Sequence, residues 1–243
     1  MSDPTLTLTE IYRSIQGEST WAGLPCIFVR LTGCNLRCSW CDSAFAFHGG
    51  KKMTLPEILA EVAGLAPMPP APTAPTAPAP SAAPASVIAP PSTLSLVEVT
   101  GGEPLLQPHT PDLCAALLAA GHTVLIETSG ERPIETLPAG VIRIMDLKAP
   151  GSGESHRNRL ENIAHLTARD EVKCVLASRE DYLWAREMVQ RHRLDTICTV
   201  LFSTVFGALQ PADLVAWILA DGLNVRFQLQ LHKFVWDPMA RRT

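Results

Sequence analysis

Three cysteines crowd one short stretch of this sequence, Gly33-Cys34-Asn35-Leu36-Arg37-Cys38-Ser39-Trp40-Cys41-Asp42, with the spacing C-x3-C-x2-C. Thiolates are the ligands of iron–sulfur clusters and of structural zinc. Structural zinc usually takes four ligands, mostly as two short pairs, and no obvious fourth ligand lies near this stretch. Three thiolates on one loop can hold three irons of a cubane and leave the fourth iron open to a small ligand. Zinc with a distant fourth ligand, or three unliganded cysteines, are the alternatives.

The chain around this stretch alternates strand-like and helix-like segments. Strands are predicted at 6–11, 26–31, 94–99, 124–127, 141–145, 172–176, 197–202 and 225–231. Helices are predicted after a capping box at Thr54 and Glu57 with an end at Gly64, from Thr110-Pro111 to Gly121, after Ser178 with Asp181, and over 210–221 before Gly222. This alternation favours a mostly parallel sheet with helical crossovers. An open doubly wound sheet and a full or partial β/α barrel both fit it.

Three polar stretches follow predicted strands, at 33–43, 100–104 and 146–148. In parallel α/β architectures, reactive residues collect just past the carboxyl ends of the strands. We therefore expect these three stretches to form one site.

The composition favours a globular protein and argues against nucleic-acid-binding, membrane-spanning and disulfide-rich classes. The chain has 243 residues, 47% of them hydrophobic, which is enough for one large domain, and we treat 1–243 as a single domain. The net charge of −4 argues against an extended nucleic-acid-binding face, and no apolar run approaches the ~20 residues of a membrane span. The first ten residues lack the features of a secretory signal, so we expect a cytoplasmic protein. Seven cysteines make a disulfide framework improbable, and we expect four of them to be core residues: Cys26, Cys114, Cys174 and Cys198.

One segment, 66–93, is rich in proline and alanine. Proline removes backbone donors and alanine alone cannot supply a core, so the composition predicts a disordered or polyproline-II-like insert within the domain. A docking ligand for a proline-binding partner is the alternative interpretation.

A resemblance emerges when the cysteine stretch is taken with two other features. Trp40 stands just before the last cysteine of the motif. One predicted helix after that motif comes the next predicted strand, and Thr100-Gly101-Gly102-Glu103-Pro104 lies at the end of that strand. Together these motifs resemble the radical S-adenosylmethionine superfamily. The resemblance implies a partial β/α barrel with one 4Fe-4S cluster per subunit at its mouth and S-adenosyl-L-methionine chelating the open iron. Glycines let the backbone approach a ligand closely, and the Glu103 carboxylate can accept a hydrogen bond from an ammonium.

Both ends of the chain carry a narrower resemblance. The stretch 10–19, EIYRSIQGES, is similar to the I-F-x-[ST]-[IL]-Q-G-E-G motif of the 7-carboxy-7-deazaguanine synthase family. Cys41-Asp42-Ser43 resembles that family's C-D-[ST], and 228–238, QLQLHKFVWDP, resembles its Q-x-H-K-[YFI]-x-W-x-P ending. The resemblance covers most of the chain apart from the proline- and alanine-rich insert.

This family resemblance implies a reaction. The substrate would be 6-carboxy-5,6,7,8-tetrahydropterin, and the product a 7-carboxy-7-deazaguanine formed with loss of ammonia in queuosine biosynthesis, which supplies a precursor for tRNA modification. The adenosylmethionine-derived radical would take a hydrogen from C6, and the cofactor would be regenerated. Mg²⁺ would bridge the substrate carboxylate and the Ser43 hydroxyl. Reduced flavodoxin or ferredoxin as electron donor and a homodimer are further expectations, with no nucleic-acid or membrane partner.

The resemblance also assigns roles to residues. Cys34, Cys38 and Cys41 would hold the cluster and Ser43 the magnesium. Cofactor contacts are expected at Trp40, Cys41, Asp42, Gly102, Glu103, Asp146, Leu147 and Lys148, and substrate contacts at Ile15, Gln16, Gly17, Arg30, Thr100 and Pro238. Asp146 and Leu147 depart from the family's common S-P-K, and 201–206 departs from its V-Q-P-M near the adenosine. Arg30 suits a carboxylate, although a structural ion pair is the alternative.

Two other functions stay open at this stage. A glycyl-radical enzyme activase has the same cluster motif but acts on a partner protein, and the two terminal motifs argue against it. A degraded radical fold used only for binding would have no need of an open iron.

Overall fold

The computed structural model describes residues 3–66, 95–238 and 240–242, and its centre is a nine-stranded sheet. The strands are β1 (Thr5–Ile15), β2 (Pro25–Leu31), β3 (Lys51–Thr54), β4 (Leu96–Gly101), β5 (Thr123–Thr128), β6 (Ile142–Asp146), β7 (Glu171–Leu176), β8 (Thr199–Thr204) and β9 (Arg226–Phe227). Their spatial order is β3-β1-β2-β4-β5-β6-β7-β8-β9. Strand β1 is antiparallel to both of its neighbours, β3 and β2, and every later neighbouring pair in this order, from β2 with β4 to β8 with β9, is parallel. The edge strands β3 and β9 stand at opposite ends of this order, so the sheet is open. The architecture is the incomplete β/α barrel that the family resemblance implied.

Four of the five described helices begin and end close to the predicted signals, and the short helix after residue 231 was not predicted. They are α1 (Leu55–Leu65), α2 (Thr110–Ala119), α3 (Arg179–His192), α4 (Pro211–Asp221) and α5 (His232–Val235). Short 3-10 helices occur at Ala44–Ala46, Pro104–Leu106, Pro150–Ser152, Ser155–Arg157, Leu160–His165 and Leu194–Thr196. The capping box of Thr54 and Glu57 is present, and Ser178 accepts a hydrogen bond from the Asp181 amide. Gly64 was wrong as the end of α1, which continues to Leu65.

The two faces of the sheet differ. Val97 and Val99 on β4 point into the main hydrophobic core, where α1 to α4 pack through residues such as Leu113 and Tyr182. Alternate residues of a strand point to opposite faces, so Glu98 and Thr100 face the other side. That side carries a smaller apolar cluster around Tyr12, Phe28, Leu96, Leu125, Ile142 and Ile144, and the cavity described below.

Some predicted elements differ from the structure. The strand predicted at 225–231 is regular only at Arg226–Phe227, and by Leu231 the chain has left the sheet, because the Leu231 amide donates to the Gly17 carbonyl. Strand β3 was not predicted, since two of its four residues are exposed lysines and only Met53 is buried.

The remaining structural expectations have different outcomes. The four cysteines expected in the core are buried. The predicted disordered insert at 66–93 lies outside the described residues except for Ala66, which caps α1. In the part of the chain that the structure describes, no helix is long and apolar enough to cross a bilayer.

Candidate active site

The three clustered cysteines lie on the loop that follows β2. Cys34, Cys38 and Cys41 are unpaired and half-buried, and all three line one cavity at the carboxyl ends of the parallel strands. The loop is tied to its neighbours by backbone hydrogen bonds, from the Ser39 amide to the Ser152 carbonyl at 3.0 Å and from the Glu103 amide to the Gly33 carbonyl at 2.8 Å. The sheet thus holds the cysteine loop next to the stretches after β4 and β6, as the sequence predicted.

Gly102 packs directly against the cysteine loop. A Cβ atom at this position would lie 2.4 Å from the Gly33 carbonyl oxygen and 2.6 Å from the Cys34 Cβ. Both distances are far inside van der Waals contact, so only glycine fits without moving the loop. The Thr-Gly-Gly stretch therefore belongs to the same site as the cysteines.

The cysteine loop offers the donors that an iron–sulfur cluster needs. Burial raises the pKa of the Cys38 thiol, and the nearby Lys148 ammonium counteracts that effect by favouring the thiolate. Among the described residues, no three Cys, His, Asp or Glu side chains already converge as a group that could hold a metal ion. The fit to a cluster accordingly rests on three unpaired thiols that line one cavity.

Lys148 is fixed by an ion pair at the cavity wall. Its Nζ lies 2.5 Å from Asp146 Oδ2, and the other Asp146 oxygen lies 3.6 Å from Lys173 Nζ. Burial alone would raise the pKa of Asp146, but the two ammonium groups outweigh it and hold the pKa below its usual value. Asp146 is therefore a carboxylate at neutral pH, with Lys148 positioned beside Cys38.

Lys173 is the centre of a buried ionic group, which we call the Lys173 cluster and which contains Lys173, Glu18, Glu127 and Asp146. The Lys173 ammonium lies 2.8 Å from Glu127 Oε1 and 3.1 Å from Glu18 Oε2, and its side chain is 8% exposed. Burial alone would lower the pKa of Lys173, but the three carboxylates raise it well above its usual value. Because Asp146 also pairs with Lys148, three carboxylates share two lysines here, and all three carboxylates line the cavity.

Gln16 is locked in place by two polar neighbours. Its Nε2 donates to the Glu98 carboxyl, and its Oε1 accepts from the Glu18 amide at 3.0 Å. Complete burial of Glu98, followed in importance by the Glu127 charge, raises the pKa of Glu98 well above its usual value. Glu98 positions Gln16, one of the predicted substrate contacts.

We expect Glu98→Gln to reduce the loss of stability that occurs as the pH rises from the usual pKa of a glutamate carboxyl into the neutral range. A carboxyl with a raised folded-state pKa contributes stability that is fully present below its unfolded pKa and lost as pH rises through the folded pKa. Glutamine keeps an acceptor for Gln16 and has no proton to lose. Melting temperatures measured across this range should fall less steeply in the variant, and identical slopes would contradict a raised Glu98 pKa.

Arg30 makes a structural ion pair and also lies at the cavity, so its position is compatible with both interpretations, the ion pair and the contact with a substrate carboxylate. Its Nε donates to Glu10 Oε1 at 3.0 Å and its NH2 donates to the Tyr12 hydroxyl at 3.2 Å. The ion pair is thus present, and Arg30 still lines the cavity. A guanidinium has five N–H donors, so a structural pair and a ligand contact are compatible.

The segment before and within α5 closes the open side of the cavity. The Leu231 amide donates to the Gly17 carbonyl at 2.8 Å, and Lys233 Nζ lies 2.8 Å from Asp42 Oδ2 on the cysteine loop. A Cβ at Gly17 would lie 2.4 Å from His232 Nδ1, so a glycine is required for this close approach. The N-terminal and C-terminal motifs therefore meet over one site.

Most of the predicted site residues line this cavity. They are Ile15, Gln16, Gly17, Arg30, Cys34, Cys38, Trp40, Cys41, Asp42, Ser43, Thr100, Gly102, Asp146, Lys148 and Pro238.

Two predicted residues are not part of its lining. The Glu103 carboxylate is fully buried and accepts from the amides of Leu105 and Ser129 and from the Thr128 hydroxyl. Leu147 lies in the hydrophobic core. Of the segment 201–206, the residues that line the cavity are Val205 and Phe206.

Several lining residues were not predicted as site residues, notably Glu10, Glu18, Glu98 and Lys173. A charged residue between apolar neighbours in a buried strand was the available signal, as at Glu98 and Lys173. Their convergence could not be deduced from sequence because Glu10, Glu98 and Lys173 lie on different strands and Glu18 lies in the turn between β1 and β2.

Curated relatives match the chain along almost their whole length. The 7-carboxy-7-deazaguanine synthase of Koribacter versatilis (strain Ellin345) is 45% identical over 247 residues, which cover 96% of this chain and 98% of the relative. The chain belongs to the 7-carboxy-7-deazaguanine synthase family. The enzyme of the same name from Chlorobaculum tepidum is 40% identical, covering 99% of this chain and 98% of that protein. The family expected from the terminal motifs is thereby confirmed.

A solved structure supports the fold separately. The crystal structure of QueE from Escherichia coli superposes with a TM-score of 0.65 at 18% identity, covering 92% of both chains. No protein-family model matches the chain.

Proposed function

We propose that this chain converts 6-carboxy-5,6,7,8-tetrahydropterin into 7-carboxy-7-deazaguanine and ammonia, as a radical S-adenosylmethionine lyase that supplies queuosine biosynthesis. The observation that carries the proposal is the single cavity that brings the cysteine loop, Gly102 and both terminal motifs together in a member of this family. Nothing in the comparisons favours a glycyl-radical enzyme activase.

The polar row across the sheet suits a carboxylated pterin. Arg30 is paired in register with Thr100, whose hydroxyl lies 3.4 Å from Glu127 on the next strand. A guanidinium binds carboxylates, and a carboxylate accepts from ring N–H groups. In this row, Arg30 would bind the substrate carboxylate, and the Glu127 carboxylate would accept hydrogen bonds from the N–H groups at the edge of the pterin ring.

The cysteine loop and its neighbours would hold the cofactors. Cys34, Cys38 and Cys41 would ligate a 4Fe-4S cluster, which with S-adenosyl-L-methionine supplies the 5′-deoxyadenosyl radical that abstracts the C6 hydrogen. Gly102 and Lys148, which line the cavity, would hold the polar end of the S-adenosyl-L-methionine. Gln230, His232, Lys233 and Pro238 line the cavity and would limit the access of water to the bound substrate.

An anaerobic turnover assay tests this function. The protein is reconstituted with iron and sulfide and given dithionite, S-adenosyl-L-methionine, magnesium and the carboxylated tetrahydropterin. We expect 7-carboxy-7-deazaguanine by mass spectrometry in excess of the S-adenosyl-L-methionine consumed. Cleavage to deoxyadenosine without this product would retain radical chemistry but refute the proposed substrate.

Ser43 is proposed to bind Mg²⁺ together with the substrate carboxylate. It lines the cavity next to Cys41, at 3.8 Å between its Oγ and the Cys41 Sγ, and Mg²⁺ prefers oxygen ligands. We expect Ser43→Ala to raise the magnesium concentration needed for half-maximal activity about tenfold, because a direct ligand is lost. Ser39→Ala, an exposed serine on the same loop, is the matched control and should leave that concentration unchanged. An unaltered magnesium response in Ser43→Ala would remove this hydroxyl from the metal site.

Three further parts of the proposal rest on the sequence and the family resemblance. They are reduced flavodoxin or ferredoxin as electron donor, a homodimer, and a cytoplasmic location. The single-domain organisation over 1–243 likewise stays a prediction.

A further inference from the structure

Two arginines beyond the family motif stand at the rim of the cavity. The Arg241 guanidinium lies 4.0 Å from the centroid of the Phe45 ring, and Arg242 Nε lies 3.4 Å from Glu10 Oε2. Both arginines line the cavity, and they follow the last residue of the Q-x-H-K-[YFI]-x-W-x-P motif, Pro238.

Arg241 and Arg242 share their anchors with Arg30. Glu10, whose side chain is 2% exposed, accepts from Arg30 at 3.0 Å and pairs with Arg242 through its other oxygen. Phe45 lies under Arg241 and 5.7 Å from the Arg30 guanidinium. Three guanidinium groups are thus gathered around one carboxylate and one ring, which we call the arginine cluster: Arg30, Arg241 and Arg242.

The arginine cluster carries positive charge that Glu10 does not neutralise, and N–H donors that its contact with the Phe45 ring does not use. Glu10 balances the charge of one arginine, so positive charge remains at the rim. The contact of Arg241 with the Phe45 ring face uses none of its N–H donors. An unneutralised group of guanidinium forks favours an anion, and a planar carboxylate matches the fork geometry.

We propose that Arg241 and Arg242 complete a carboxylate-binding site with Arg30 and select pterins that carry the carboxylate over those that lack it. This inference rests on the proposed function. Glu10 acts as a positioning residue, because it holds two of the three guanidinium groups at the rim.

A binding experiment separates this role from a structural one. The reconstituted protein is titrated anaerobically with 6-carboxypterin and with pterin, two aromatic analogues that differ in the carboxylate. For Arg241→Ala/Arg242→Ala we expect the dissociation constant of 6-carboxypterin to rise about tenfold, since two charge-assisted contacts are lost at a partly exposed rim. The constant for pterin should change less than about twofold. Arg191→Ala, an exposed arginine on α3 that pairs with Glu187, is the control and should change neither.

The alternative outcomes are distinct. Equal weakening for both pterins would overturn the proposal and assign the arginines to closing the cavity. Unchanged binding of both pterins in the double variant would overturn it as well, with the proposed function intact. If the unaltered protein binds neither pterin, the proposed function fails together with this inference.

Discussion

Cys38→Ala is expected to lose bound iron and all turnover. Cys38 is unpaired, lines the cavity and lies near Lys148, and nothing else on the loop can replace its sulfur as a ligand. Two thiolates hold a cubane cluster far less firmly than three, so the variant should retain little iron or acid-labile sulfide after reconstitution and desalting. Both contents are measured per chain, alongside product formation.

Cys114→Ala provides the matched control. Cys114 is buried in α2 and points into the main core, so its loss should cost some stability and leave the iron content unchanged. Wild-type turnover in Cys38→Ala would show that the cysteine loop is not a cluster site. Equal loss of iron in both variants would point to misfolding as the cause.

Lys173→Met is expected to lower the melting temperature by roughly 6–20 °C. Removing one partner from a buried ion pair leaves an uncompensated charge, which typically costs about 3–5 kcal/mol, and each kcal/mol shifts a chain of this size by about 2–4 °C. Here three carboxylates, Glu18, Glu127 and Asp146, would lose a shared cation, and all three line the cavity. Thermal unfolding followed by circular dichroism measures the shift, and turnover should fall with it.

Two further variants sharpen this result. Lys51→Met replaces an exposed lysine on β3 and should shift the melting temperature by no more than about 2 °C, since surface substitutions stay within about 0.5 kcal/mol. Lys173→Met/Glu127→Gln removes one of the uncompensated charges and should recover part of the lost stability. No recovery would mean that an uncompensated Glu127 charge is not the cause of the lost stability.

Strand and helix positions were predictable wherever apolar spacing and caps agreed. The core strand β7 and helix α3, with its Ser178 cap, follow directly from such signals. Strand β3 was missed because its exposed lysines are typical of an edge and not of a core strand. The strand predicted at 225–231 was too long because side-chain pattern alone cannot show that the Leu231 amide finds its acceptor on a distant loop.

The candidate site was predictable to the extent that its residues sit in local motifs. The cysteine spacing and the stretch from Thr100 to Gly102 are contiguous in sequence, and the structure brings them to one cavity. The partners of Lys173 come from three separated segments, and the contact of Arg242 with Glu10 spans most of the chain. Such pairs depend on strand order and register, which a single sequence does not contain.

The hydrogen bond between Leu231 and Gly17 has a consequence for biosynthesis. The ribosome completes the cysteine loop when it has added Cys41. The hydrogen bond to the Gly17 carbonyl can form only after Leu231 has been synthesised. At bacterial-type elongation rates of about 5–20 residues per second, the 190 residues between Cys41 and Leu231 take about 10–40 s. Until Leu231 emerges this hydrogen bond cannot form, so the side of the site next to Gly17 would lack the cover that the later segment supplies. Iron and sulfide delivered during translation would reach the thiols by a route that the finished protein closes.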